Sequence, residues 1–267
     1  MTRSKVKEFI PKEAAEFRND AVLKALRHAI KANKPALLTG ETGTGKTSAI
    51  RFLAKELNAG FRRLNLNGAS TVDDIIGKVL LNKEGTVWVD GVLTDAVRNG
   101  YWLLLDEVNA ALPEVLFAIH SLIDDDGMLV LAENEGEVLR PHPDFRLFAA
   151  LNPNYAGTRA LNRAFISRFH LVINFDFLSK EDEVKLLMER TNVSEENALK
   201  MVDVADNLRA NYKEGNISMP VSFRELMSWA KLIDEFSLDE AFSLAVVNKC
   251  YSDALEREVI FDAFKLI

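Results

Sequence analysis

Apolar residues recur along the chain in two rhythms. Short runs at "ALLT" (36–39), "FRRLNL" (61–66), "YWLLLD" (101–106), "FRLFAALN" (145–152) and "LVINF" (171–175) have the length and makeup of strands. Most are separated by segments such as "KTSAIRFLAKEL" and "LPEVLFAIHSLI", whose apolar residues return at the spacing of one helix face. "EAAEFRNDAVLKALRHAIKAN" has the same spacing ahead of the first run and predicts a helix ending near Asn33, before Pro35. Strands alternating with helices predict an α/β fold with a central parallel sheet covered on both faces. From about Asp176 the pattern is helical only, in "SKEDEVKLLMER", "SEENALKMVDVADNLRANY", "SFRELMSWAKLIDEF" and "LDEAFSLAVVNKCYSDAL". The change predicts an α/β domain over 1–175 and a small all-α domain over 176–267.

Composition narrows the class. A chain of 267 residues suits one large and one small domain, and 48% hydrophobic with 27% charged residues supplies an ordinary globular core. The formal net charge of −7 argues against a dedicated nucleic-acid binder, although a local basic channel is compatible with an acidic whole. One cysteine, Cys250, excludes an internal disulfide and fits a reducing compartment. The apolar runs are far shorter than a membrane span, and "MTRSKVKEFIPKE" has no apolar core of a secretory signal. A cytoplasmic protein is expected.

The strongest chemical signal is "GETGTGKT", comprising Gly40, Glu41, Thr42, Gly43, Thr44, Gly45, Lys46 and Thr47, followed by Ser48. The spacing is that of a phosphate-binding loop, and it lies between a strand and a helix, as that loop requires. Glycines let backbone N–H groups turn toward a phosphate, and the next helix offers its positive end. Lys46 is expected to reach the β- and γ-phosphates, and the Thr47 hydroxyl to hold Mg²⁺. A chance glycine turn would not have this setting.

"WLLLDEVN" ends a hydrophobic strand in Asp106 and Glu107. Asp106 is expected to support Mg²⁺ and Glu107 to polarise an attacking water. Asn152, at the polar end of "FRLFAALN", is placed for an amide contact with the γ-phosphate or the water. "TRALNRAFISRF" reads as a helix bearing Arg159, Arg163 and Arg168; Arg159 and Arg163 are four apart and share a face. An arginine remote from its own phosphate loop suits a neighbouring subunit's γ-phosphate, whereas surface arginines more often pair with carboxylates.

These motifs together resemble AAA+ ATPases of the MoxR, CbbQ/NorQ, CobS-like and dynein-related branch. The resemblance covers nearly the whole chain, including "TVDDIIGK", "WVDGVLTDAVRNGYWLLLDEVNAALPEVLFAIHSLIDD", "MLVLAENEGEVLRPHPDFRLFAALNP" and "GTRALNRAFISRF". It implies a P-loop NTPase core with a helical lid, a helix-2 insertion near 71–94 and a pre-sensor-1 hairpin near 128–140. It further implies that Asn152 is sensor 1, that Arg168 is the arginine finger, and that "PVSFREL" puts the sensor 2 Arg224 on the lid. "GTRALN" is more basic than in many relatives, so Arg159 is a candidate second trans-acting arginine.

The resemblance also implies ATP and Mg²⁺ as ligands and a ring, usually a hexamer, with nucleotide between subunits. The partner it implies is a protein client, either a metalloenzyme or a von Willebrand factor A-domain (VWA) adaptor. Two alternatives from other classes are a nucleic-acid-linked motor of McrB-like type, in which GTP can replace ATP, and a metal-chelatase motor subunit of CobS-like type. A monomeric small-molecule kinase would leave the trans-type arginine unexplained. Trp88, in "EGTVWVDG", is either a pore-facing grip or, as large aromatics usually are, packed. "DDDGMLVLAE" only imitates a Ca²⁺ loop, because Leu122 stands where the first ligand belongs. His28, His120, His142 and His170 have no metal-ligand spacing.

Overall fold

The computed structural model describes residues 4–83, 85–124, 127–153, 158–250 and 254–265. Contacts divide the chain into two compact units, Met1–Gly40 with Gly45–Phe175, and Glu41–Thr44 with Asp176–Ile267.

In the first unit the strands are β1 Ala36–Thr39, β2 Phe61–Asn65, β3 Gly77–Asn82, β4 Gly85–Asp90, β5 Trp102–Asp106, β6 Leu129–Leu131, β7 Glu137–Leu139, β8 Arg146–Leu151 and β9 Leu171–Asn174. Its helices are α1 Ser4–Glu8, α2 Asp20–Ala32, α3 Lys46–Glu56, α4 Val72–Ile75, α5 Val92–Asn99, α6 Pro113–Ile123 and α7 Arg163–Ile166. Five strands form one sheet in the order β2-β5-β8-β1-β9, all pairs parallel. The parallel α/β fold anticipated from the alternating pattern is therefore present. Its central strands are near-continuous apolar runs because both of their faces are covered.

Alternation along each strand sends Leu37, Leu103, Leu105, Leu147 and Ala149 into one core, shared with α5 and α6. Ala36, Leu38, Trp102, Leu104 and Phe148 enter another core, shared with α2 and α3. Register then aligns the strand ends: Thr39 pairs with Leu151 and Asn174, and Asn65 pairs with Asp106. The C-terminal ends of β1, β5 and β8 consequently open onto one edge, where ligands of open α/β sheets bind.

Two antiparallel hairpins stand apart from this sheet, β3–β4 and β6–β7. Arg98 of α5 ties them together, with its Nε 2.8 Å from Asp90 at the end of β4 and its Nη1 2.6 Å from Glu137 on β7. The Arg98 hydrogen bonds hold the Glu137 carboxyl below its ordinary range. Trp88 is half-buried against the core and donates its Nε1 hydrogen to Asp90 at 2.7 Å.

The structure shortens several helices relative to the sequence pattern, among them that of "SFRELMSWAKLIDEF", which ends at Leu232. The segment 13–19 is not helical; α2 starts at Asp20, behind an Asn19 cap whose Oδ1 accepts the Val22 N–H at 3.0 Å. Phe17 is drawn instead into a ring contact with Phe175 at 6.0 Å. "TRALNRAFISRF" is helical only over α7, because Asn162 caps it through the Ala164 N–H at 2.9 Å. Arg159 and Arg163 therefore do not share a helix face. The last predicted helix stops at Ala245, where the β-branched pair Val246–Val247 leads into a 3₁₀ turn.

The second unit contains α8 Lys180–Arg190, α9 Glu195–Glu214, α10 Phe223–Leu232, α11 Leu238–Ala245 and α12 Ala254–Lys265. Ser179, Ser194, Ser222 and Ser237 cap the first four of these. Trp229 and Phe242, both fully buried, centre its core with rings 4.7 Å apart. A buried ion pair stitches α8 to α9: Arg209 donates to both Glu183 oxygens at 2.8 and 2.9 Å, and to the Val221 carbonyl at 2.8 Å. Burial raises the Glu183 carboxyl, an effect that the guanidinium opposes. Removing one member of such a pair strands the other charge in the core. Arg209→Ala is expected to destabilise this unit by about 3–5 kcal/mol, read as the shift of its thermal or denaturant transition.

Candidate nucleotide site

The loop after β1 turns through positive φ at Gly40 (149°), Gly43 (82°) and Gly45 (93°). At Gly40 the demand is steric as well, since a Cβ there would lie 2.2 Å from the Phe175 carbonyl oxygen. The Thr44 hydroxyl donates to the Glu41 carbonyl at 2.8 Å and closes the loop tip. Helix α3 begins at Lys46, so its unpaired N–H groups lie at the loop, and Ser48 is exposed on its first turn.

The Lys46 side chain is buried. Its ammonium donates to the Gly40 carbonyl at 2.6 Å and to Asn152 Oδ1 at 2.7 Å. Next to it, the Thr47 hydroxyl donates to Asp106 Oδ2 at 3.3 Å. Asp106 is buried at the end of β5, and its Oδ1 accepts the Glu107 N–H at 3.1 Å. Glu107 has left-handed backbone (φ 58°, ψ 42°), which ends the strand abruptly before a 3₁₀ turn at Val108–Ala110. Lys46, Thr47, Asp106, Glu107 and Asn152 are thus brought to one edge of the sheet. Hydroxyl and carboxylate oxygens side by side are hard donors of the kind Mg²⁺ takes, and a glycine loop leading into a helix N-terminus is the backbone that takes a phosphate. The residues present fit a nucleotide with its metal.

Three side chains join this site that motif reading did not identify. Arg63 of β2 holds Asp106 Oδ2 through Nε at 2.9 Å and Nη2 at 2.7 Å. Asn65, also on β2, brings its Nδ2 to 3.5 Å from Glu107 Oε2. Asn109 donates from Nδ2 to the Asn152 carbonyl at 2.9 Å. The sole hint in the sequence was polar residues near the ends of apolar runs.

The arginines lie elsewhere. Arg168 bonds Asp124 through Nε and the Ala164 carbonyl through Nη1 at 2.6 Å. It lines a cleft of about 500 Å³ with Asn33, Pro35, Asp124 and His170. Pro35 immediately precedes β1 whereas the glycine loop follows it, so Arg168 stands at the opposite end of that strand from Lys46. Arg159 and Arg163 are exposed, and neither has an ion-pair partner among the described residues. The Arg159 N–H is anchored on the Asn109 carbonyl at 2.9 Å. Arg224 is exposed on the first turn of α10, its N–H 3.2 Å from Ser222 Oγ.

Residues 35–169 match the family described as AAA domain (dynein-related subfamily), and residues 183–267 match CbbQ/NirQ/NorQ C-terminal. The chain is 32% identical over 263 residues to the aerobic cobaltochelatase subunit CobS of a Sinorhizobium species, covering 92% of this chain and 77% of CobS. The chain belongs to the dynein-related AAA ATPases of the CbbQ/NirQ/NorQ type.

The denitrification regulatory protein NirQ of Pseudomonas aeruginosa is 30% identical, the match covering 95% of this ATPase and 96% of NirQ. Midasin of Dictyostelium discoideum is 35% identical over 213 residues, 77% of this ATPase but 4% of that much longer protein. The fold of the ATPase is also that of a Thermotoga maritima RuvB mutant, with TM-score 0.57 at 16% identity over 94% of this chain and 71% of RuvB. Nucleotide binding and ATP hydrolysis follow from membership. Among the described residues no helix of the ATPase is long and apolar enough to cross a membrane.

Because Gly40 combines positive φ with a 2.2 Å approach to Phe175, Gly40→Ala cannot keep this loop geometry. The variant is expected to be less stable by about 1–3 kcal/mol, checked by chemical denaturation, with weakened binding of a fluorescent ATP analogue.

Proposed function

We propose that this ATPase forms a ring, hexameric in the usual arrangement, that hydrolyses ATP at subunit interfaces to remodel or activate a partner protein. The observation that carries this reading is the position of Arg168 at the far end of β1 from Lys46, because an arginine so placed serves a neighbour's nucleotide rather than its own.

Within one site, Lys46 neutralises the β- and γ-phosphate oxygens and the loop N–H groups of Gly40–Ser48 cradle them. Thr47 and Asp106 would hold Mg²⁺, which would supply positive charge against the charge that develops on the phosphates. Arg63 holds the Asp106 carboxylate from which that ion would be supported. Glu107 takes the proton of the attacking water, with Asn65 steadying its carboxylate, and Asn152 orients the water or the γ-phosphate. Arg168 of the adjacent protomer stabilises the transferring phosphoryl group, with Arg159 as a second trans candidate. Arg224 reports the nucleotide state to the helical domain, whose rotation carries the change to the client.

The client is a protein: a metalloenzyme awaiting maturation, engaged through a VWA-domain adaptor. Similarity to CobS across 92% of the chain favours a second reading, the motor subunit of a metal chelatase. ATP-loaded Glu107→Gln protein used as bait separates them: a VWA protein or metalloenzyme supports the first, and a chelatase catalytic subunit the second. Recovery of a nuclease or nucleic acid instead contradicts both.

Lys46→Ala is expected to abolish nucleotide binding, and Glu107→Gln to retain binding while hydrolysis stops. Arg168→Ala should lower turnover by roughly 10³-fold or more. Mixing it with Lys46→Ala protomers should restore part of the activity, since mixed interfaces pair an intact site with an intact arginine. Steady-state phosphate release across mixing ratios measures this, and no recovery at any ratio contradicts action in trans.

A further inference from the structure

The turn after Glu107 carries a buried side chain to which the chemistry above gives no task. Asn109 is 4% exposed, and its Oδ1 has no hydrogen-bond partner among the described residues. Leaving an amide oxygen unpaired in the interior costs free energy, so packing alone does not account for asparagine here. What the residue does make is a pair of backbone ties. Its Nδ2 donates to the Asn152 carbonyl at 2.9 Å, and its own carbonyl accepts the Arg159 N–H at 2.9 Å.

Asn152 lies one residue beyond the end of β8, and the last pairing of that strand with β1 is Thr39 with Leu151. The sheet ladder therefore does not hold the Asn152 carbonyl; Asn109 does. The side chain of Asn152 meanwhile reaches Lys46 Nζ at 2.7 Å. A continuous path thus runs from the turn bearing Glu107, through Asn109, to the backbone that aims the Asn152 amide and to the Arg159 segment beyond it.

We propose that Asn109 is a positioning residue for hydrolysis, whose side chain fixes the Asn152 amide relative to Lys46 and Glu107. The proposal rests on the site reading above, in which Asn152 faces the γ-phosphate or the water. An amide held loosely at this place misaligns the reacting water without removing any group that binds nucleotide. Its loss should therefore appear in kcat and not in nucleotide affinity.

The test is a double-mutant cycle in the full chain, with Asn109→Ala, Asn152→Ala and the double variant assayed for ATP turnover and for binding of a fluorescent ATP analogue. Asn109→Ala is expected to lower kcat by roughly 10- to 100-fold, as a small misplacement does, with Kd nearly unchanged. With the Asn152 amide gone there is nothing left to aim, so the double variant should turn over no more slowly than the worse single one. Asn109→Asp keeps the volume while replacing the donor with an acceptor, so it should show the same fall if Asn109→Ala does not fold. Unchanged kcat in a folded variant, multiplicative losses in the cycle, or a fall in kcat matched by an equal loss of affinity would each overturn the proposal. Glu107→Gln is run alongside: if it hydrolyses ATP like the parent, the site reading itself is wrong, a result distinct from any given by the Asn109 variants.

Discussion

The contact on which the site depends is the buried Lys46 ammonium, shared between the Gly40 carbonyl and the Asn152 amide oxygen. It joins the glycine loop after β1 to the end of β8, two segments more than a hundred residues apart that the sheet makes neighbours. Its geometry is possible because Gly40 takes a backbone conformation closed to other residues and because β1 and β8 end in register. A shift of one residue in that pairing would turn Asn152 to the other face of the sheet. The placement of Lys46 beside Asn152 thus rests on strand register as much as on the loop.

Around that contact the carboxylates are arranged by backbone rather than by length of side chain. Asp106 remains in the strand, buried, with one oxygen on Thr47 and Arg63 and the other on the Glu107 N–H. Glu107 enters the left-handed region and so leaves the line of the strand. Two adjacent acids thereby acquire different surroundings, one held by a guanidinium and a hydroxyl, the other facing the amide of Asn65. Different surroundings are what allow neighbouring carboxylates to take different roles.

The opposite end of the sheet is organised around Arg168, which is held by Asp124 and the Ala164 carbonyl. Arg98 makes a comparable clamp on the two hairpins, gripping Asp90 and Glu137 at once. Both use a planar guanidinium with several donors to fix segments that are not neighbours in the main sheet.

Much was legible in the linear chain. The parallel α/β core followed from apolar runs alternating with helical spacing, and Gly40–Thr47 could be read as one motif because a phosphate loop is built from consecutive backbone groups. Periodicity also carried the helical character of the chain beyond Asp176, where serine caps mark helix starts. Periodicity failed where tertiary contacts offered more than a local helix could: residues 13–19 left the helix to seat Phe17, and the segment at Arg159 bonded Asn109 instead of extending α7. Arg63, Asn65 and Asn109 were invisible as site residues because their meaning depends on strand order, with β2 beside β5 and β5 beside β8. By itself the sequence determined the fold class and the phosphate loop, since both are set by local backbone chemistry and hydrophobic period. Only the tertiary structure decided which polar side chains meet at the strand ends, because register and neighbour order are properties of the packed sheet.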